Sequence, residues 1–127
     1  MKYLCLGYYE PDQFEKLTSA EQAAIGDACR PHDERLYATG KVSVVASLGE
    51  GTKVIRTRGG RKKVTDGPYV ETKEMVGSFF VVEAKDEDEA VRIASLHPAA
   101  NWGEQVGMAI EVRPIDFYVE NPTPGGS

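Results

Sequence analysis

Gly77-Ser78-Phe79-Phe80-Val81-Val82-Glu83-Ala84, followed closely by Asp86-Glu87-Asp88-Glu89-Ala90, is the segment from which the fold can be read. Its first part is a nearly continuous apolar strand. It lacks the clean alternation of a sheet that is wet on one side, so both of its faces should be covered. Asp86 then reads as a helix N-cap, with Glu89 as the reciprocal partner of a capping box. The helix that follows places Ala90, Ile93, Ala94 and His97 on one apolar face, and Pro98 is expected to end it.

The opening of the chain repeats this arrangement. Residues 2 to 9 read as a strand with Leu4, Leu6 and Tyr8 on one side and Tyr3, Cys5 and Tyr9 on the other, again apolar on both faces. From Ser19 to Ala38 the pattern turns helical. Leu17, Ala20, Ala24 and Ala28 form a stripe that Ile25, Cys29 and Leu36 widen. Pro31 should kink or break this helix, because it has no amide hydrogen and its ring meets the carbonyl one turn earlier. Gly40 is a stop signal.

A Val-rich strand is expected over 42 to 48. Lys53 to Arg58 and Arg61 to Thr65 flank Gly59-Gly60, a loop suited to a tight hairpin. A last strand falls near 108 to 115. The order of elements fits an α+β fold of the split βαβ type, with both helices on one face of an antiparallel sheet and an extra hairpin. The other face needs cover that one chain cannot supply, so a homodimer with sheets packed face to face is expected.

A chain of 127 residues, 41% hydrophobic, suits one core. We expect a single domain over 1 to 119 and a polar tail over 120 to 127. The net charge of −5 disfavours non-specific binding to nucleic acid or anionic lipid, so any anion site must be local. Tyr3-Leu4-Cys5-Leu6 is too short for a signal-peptide core or a membrane span, which suggests a cytoplasmic protein without a membrane partner. Cys5 and Cys29 have no C-x-x-C spacing and read as reduced core residues.

Four features could carry chemistry. On a helical wheel His32 falls between Ala28 and Leu36, near Ile25 and Cys29, so it points toward the sheet as either a core histidine or an acid, base or ligand-binding group. His97 lies at the C-terminal end of its helix, where it could cap the helix or bind a ligand. Neither histidine has an i, i+4 partner, so no metal site is expected. The hairpin concentrates Lys53, Arg56, Arg58, Arg61, Lys62 and Lys63, six of fifteen basic residues. It sets Arg58 opposite Arg61 and Arg56 opposite Lys63, so this face should be solvated or matched by carboxylates or an anion. Glu71 and Glu74 are the internal candidates. Without interleaved aromatic residues, nucleic-acid binding has little support.

The fourth feature is Asp66-Gly67-Pro68-Tyr69-Val70-Glu71-Thr72-Lys73-Glu74. Turn chemistry accounts for Asp66, Gly67 and Pro68. The charged half that follows could bind a polar ligand or pair with the hairpin of either subunit.

Through this run, together with Met1-Lys2-Tyr3-Leu4, Gly77-Ser78-Phe79-Phe80, Asp88-Glu89-Ala90 and Glu111-Val112-Arg113-Pro114, the chain resembles the YCII-related family in its DGPF-type branch. The resemblance implies a ferredoxin-like plait that dimerises. His32 is similar to that family's first-helix histidine. The implied enzyme would place His32 as acid or base with Asp66 orienting it, in a pocket between sheet and helices near the dimer seam. His97, Arg113, Tyr69, Glu71 and Lys73 would then bind a small anionic or polar ligand, with no cofactor or metal. The alternative is a non-catalytic ligand- or protein-binding module, since domains of this kind are sometimes joined to sigma-factor regions.

Overall fold

The computed structural model describes residues 1–125; the end of the expected tail, 126 and 127, lies outside the described residues. The chain runs β1 (Lys2–Tyr9), α1 (Pro11–Glu15), α2 (Ser19–Ala38), β2 (Val42–Ser47), β3 (Lys53–Arg58), β4 (Arg61–Asp66), β5 (Met75–Glu83), α3 (Glu87–Ala94), α4 (Pro98–Asn101), a 3-10 turn (Glu104–Val106) and β6 (Ala109–Pro114). Four strands form one sheet in the order β2-β5-β1-β6, with every neighbour antiparallel. The crossover from β1 through α2 to β2 leaves a gap that β5 fills. The crossover from β5 through α3 to β6 leaves one that β1 fills. Two interleaved split βαβ units therefore make the α+β, ferredoxin-like arrangement expected from the order of elements.

The pleat explains the doubly apolar central strands. One row across the sheet, Val45, Phe80, Cys5 and Val112, faces the helices, as does the row of Val42, Val82, Tyr3 and Pro114. Cys5, Phe80 and Val82 are closed from solvent and pack with Leu36 of α2 and with Ala90, Ile93 and Ala94 of α3. The alternate rows, Val44-Val81-Leu4-Arg113 and Ala46-Phe79-Leu6-Glu111, face away from the helices.

The helices correct several expectations. α2 runs unbroken through Pro31 and starts with a full capping box between Thr18 and Glu21. Its buried residues are Ile25 and Leu36, while Ala20 and Ala24 are exposed. That part of the alanine stripe is therefore outside, while Leu17 and Ala28 are half-buried, because the larger side chains gain more by burial and set the helix rotation. In α3 the Asp86 carboxylate accepts from the Glu89 amide at 2.8 Å. The Glu89 carboxylate, however, accepts from Lys85 rather than Asp86, so the box is only half closed. Pro98 begins a helix instead of ending one, since proline suits a first helical position where the missing amide is not needed.

Burial of Leu36 and exposure of Ala24 give a test by denaturant unfolding. Leu36→Ala should cost about 2–5 kcal/mol, whereas Ala24→Ser should stay within about 0.5 kcal/mol. Similar losses at both sites would contradict the observed rotation of α2.

Candidate functional site: a cavity above a row of small residues

One row further along the sheet, large side chains give way to Ser47, Ser78 and Gly7, side by side on β2, β5 and β1. A Cβ on Gly7 would meet the Ser78 hydroxyl as it stands, so these two small residues share one space. With nothing tall on the sheet there, α2 cannot be packed from below. A cavity of about 500 Å³ opens between α2 and the sheet.

Its walls come from five places. α2 contributes Cys29, Asp33 and Tyr37, one helical turn apart. Tyr9 closes one side, its ring lying over Gly77, where a Cβ would come within 2.8 Å of the ring. Phe14 of α1 meets Tyr9 edge-on, with centroids 6.2 Å apart and planes at 87°. His97 and Pro98 close another side, and Leu48, Gly49 and Glu50 form the rim.

His97 is held in a defined tautomer. Its ring stacks on Phe80 at 4.8 Å and 3°, and its Nδ1 accepts the Ala99 backbone N–H at 3.0 Å, capping α4. An accepting Nδ1 leaves the ring proton on Nε2, for which no partner exists among the described residues. Burial pushes its pKa down to about 4. His97 therefore caps the N-terminus of α4 rather than the C-terminus expected for it, and is neutral, with Nε2–H as a donor.

Asp33 is the group that sequence reasoning missed. It is half-buried, with no hydrogen bond or ion pair among the described residues, and desolvation raises its pKa while the neighbouring His32 pulls the other way. Desolvation also raises Cys29 and Tyr37, each with a further contribution from the Asp33 charge. Spacing could have found it, since Asp33 lies four residues from both Cys29 and Tyr37.

The other residues singled out from sequence lie elsewhere. His32 is half-buried, and its Nδ1 accepts from the Arg35 guanidinium at 2.7 Å. Asp66 is exposed at the end of β4 and pairs with Lys53. Neither lines the cavity. His32 is set aside because α2, rotated by Ile25 and Leu36, presents Cys29, Asp33 and Tyr37 there instead. Arg113 sits across from Leu4 and faces away from the helices. Tyr69 lies beneath Arg56, whose guanidinium carbon is 4.7 Å from the ring centroid. Lys73 reaches Glu10 Oε1 at 3.0 Å, which raises the lysine pKa through that contact and the Glu10 charge. That oxygen is shut off from solvent and the approach is poorly directed, so the contact is an ion pair rather than an aligned hydrogen bond. Glu71 and Glu74 form no ion pair with the hairpin among the described residues, contrary to expectation. No cluster of three or more potential metal ligands occurs among the described residues, and no helix is long and apolar enough to cross a membrane.

The model of the YCII-related domain family matches residues 1–115. The chain belongs to that family. A relative, the uncharacterised protein R00369 of Rhizobium meliloti strain 1021, is 33% identical over 126 residues, covering 98% of this chain and 99% of its own. Among solved structures, this YCII-related chain is similar to 5-chloro-2-hydroxyhydroquinone dehydrochlorinase (TftG) of Burkholderia phenoliruptrix AC1100, in complex with 2,5-dihydroxybenzoquinone. The identity is 19% and the TM-score 0.49, covering 91% of this chain and 94% of that one.

The histidine assignment predicts a direct observable. Nitrogen-15 NMR should show His97 as the Nε2–H tautomer, titrating at about 4. Because the unfolded value, about 6.5, is higher than the folded one, the unfolded chain binds the extra proton between them. His97 should therefore withdraw stability as pH falls from about 6.5 to about 4. The thermal midpoint of His97→Gln should fall less over that window; an identical fall would show that His97 is not the titrating group.

Proposed function

We propose that the protein is a small-molecule acid–base catalyst working in the cavity above Ser47, Ser78 and Gly7. The observation that carries this reading is the meeting of two complementary groups on one cavity, the neutral Nε2–H donor of His97 and the partnerless, desolvated carboxylate of Asp33. A carboxylate base and a hydrogen-bond donor on one cavity are what proton abstraction next to a carbonyl requires. Asp33 is the base and takes a proton from a carbon next to a carbonyl. His97 donates a hydrogen bond to the carbonyl oxygen, where negative charge develops, and the proton then returns from Asp33 to carbon or oxygen.

The walls narrow the substrate. Tyr9, Phe14 and Tyr37 offer ring faces, no lysine or arginine lines the cavity, and Asp33 and Glu50 are its acidic members. A neutral compound with an aromatic or other flat apolar part fits this lining better than a carboxylate or phosphate. The reading replaces the His32 and Asp66 pair with His97 and Asp33, and it moves the expected anionic ligand out of this cavity.

We further infer a homodimer in which a second copy covers the helix-free face. Its support is the apolar centre of that face, with Leu4, Leu6, Phe79 and Ala46 half-buried and Val44 exposed, on the three strands β1, β5 and β2.

Both inferences can be tested separately. In D₂O with a panel of aryl ketones, the wild type should catalyse exchange of the hydrogens next to the carbonyl. Asp33→Asn and His97→Gln should each slow it by roughly a hundredfold or more. Absence of exchange above buffer across the panel, or full exchange in Asp33→Asn, would sink the catalytic reading. Light scattering should return twice the chain mass for the wild type and the chain mass for Leu6→Asp, which lies outside the cavity lining, and a monomeric wild type would remove the dimer.

A further inference from the structure

We propose that the groove between the basic hairpin and the Asp66–Glu74 run binds a small dianion of the phosphoryl class. This site is separate from the cavity of His97 and Asp33. The groove has a volume of about 400 Å³, and its polar lining is Arg56, Arg58, Lys63, Thr65, Tyr69 and one carboxylate, Asp66, which is paired with Lys53.

The register makes the charge problem definite. Arg56 stands directly opposite Lys63, and Arg58 directly opposite Arg61. Directly opposed like charges on neighbouring strands repel each other, and a bound anion would relieve that repulsion. No carboxylate does so here. Lys53 pairs with Asp66, but Arg56, Arg58, Arg61, Lys62 and Lys63 form no ion pair among the described residues. Lys73, the cation of the adjoining run, is turned away to Glu10.

Arg56 is also held in place. Its guanidinium carbon lies 4.7 Å from the Tyr69 ring centroid, a cation–π contact that leaves its N–H groups available to an acceptor. Tyr69 is supported in turn by a loop tied at both ends, through the Gly67 amide to the Thr52 carbonyl at 2.9 Å and through Lys73 to Glu10. A planar fork, an ammonium across the ladder and the Thr65 hydroxyl on one face match a tetrahedral anion with several acceptor oxygens.

Size and field select against longer polyanions. Six cations and Asp66 give residues 53–66 a net charge of +5, and because the chain totals −5, the remainder carries −10. A nucleic acid strand leaving the groove would run onto that acidic body, and the one ring in the groove is already covered by Arg56. A compact dianion meets the local field without meeting the rest.

The test is isothermal titration of the full chain with inorganic phosphate, at a slightly alkaline pH where it is the dianion, and at constant ionic strength. We expect one saturable site, weakened about tenfold or more in Arg56→Gln and in Lys63→Gln and several-fold in Tyr69→Leu. Arg30→Gln, which removes an exposed cation on α2, should bind as the wild type does. Lack of saturation, equal weakening in Arg30→Gln, unchanged affinity in Tyr69→Leu, or tighter binding of a single-stranded oligonucleotide than of inorganic phosphate would each overturn the proposal. Aryl-ketone exchange should be unaffected in Arg56→Gln, so failure at one site is distinguishable from failure at the other.

Discussion

The antiparallel pairing of β1 with β5 is the constraint on which the rest of the molecule depends. Both crossovers are split by it, since each helix returns its chain to the far side of the other unit's central strand. The pairing also sets the register that stacks Cys5 beside Phe80 and Gly7 beside Ser78. The first of these pairs makes the core and the second leaves the core incomplete, two residues further along the same strands. A slip of one residue would turn every side chain of these strands to the opposite face, losing the packed rows and the cavity together.

The strands were legible because their signals are local. Val, Phe and Tyr in doubly apolar runs, bounded by glycine and charged residues, mark β1 and β5 with no knowledge of what covers them. The hairpin was legible down to its register, because Gly59-Gly60 leaves little choice of pairing. Helix rotation was harder to read. An alanine stripe and an Ile25-Cys29-Leu36 stripe overlap on one wheel, and only the sheet opposite decides which is inside.

The same limit governed the site. His97 could be seen as a noteworthy histidine, but its role turned on whether Pro98 stops one helix or starts another. A sequence window contains both possibilities. Asp33 was hidden beside the more conspicuous His32, and what distinguishes them is which side of α2 faces a gap in the sheet. That gap is made by Ser47, Ser78 and Gly7, from three separate strands, whose adjacency is a tertiary fact.

This row of small residues also bears on how such a protein can diverge. The packed rows of Cys5, Phe80 and Val82 hold the fold, and Ser47 and Ser78 lie outside them. Enlarging or re-shaping either serine would alter the space above the sheet while leaving the core's contacts intact, whereas a side chain at Gly7 would first have to displace the Ser78 hydroxyl. Selection for a new ligand and selection for folding therefore act on different positions, and lineages sharing this plait can change what they hold without first spending stability.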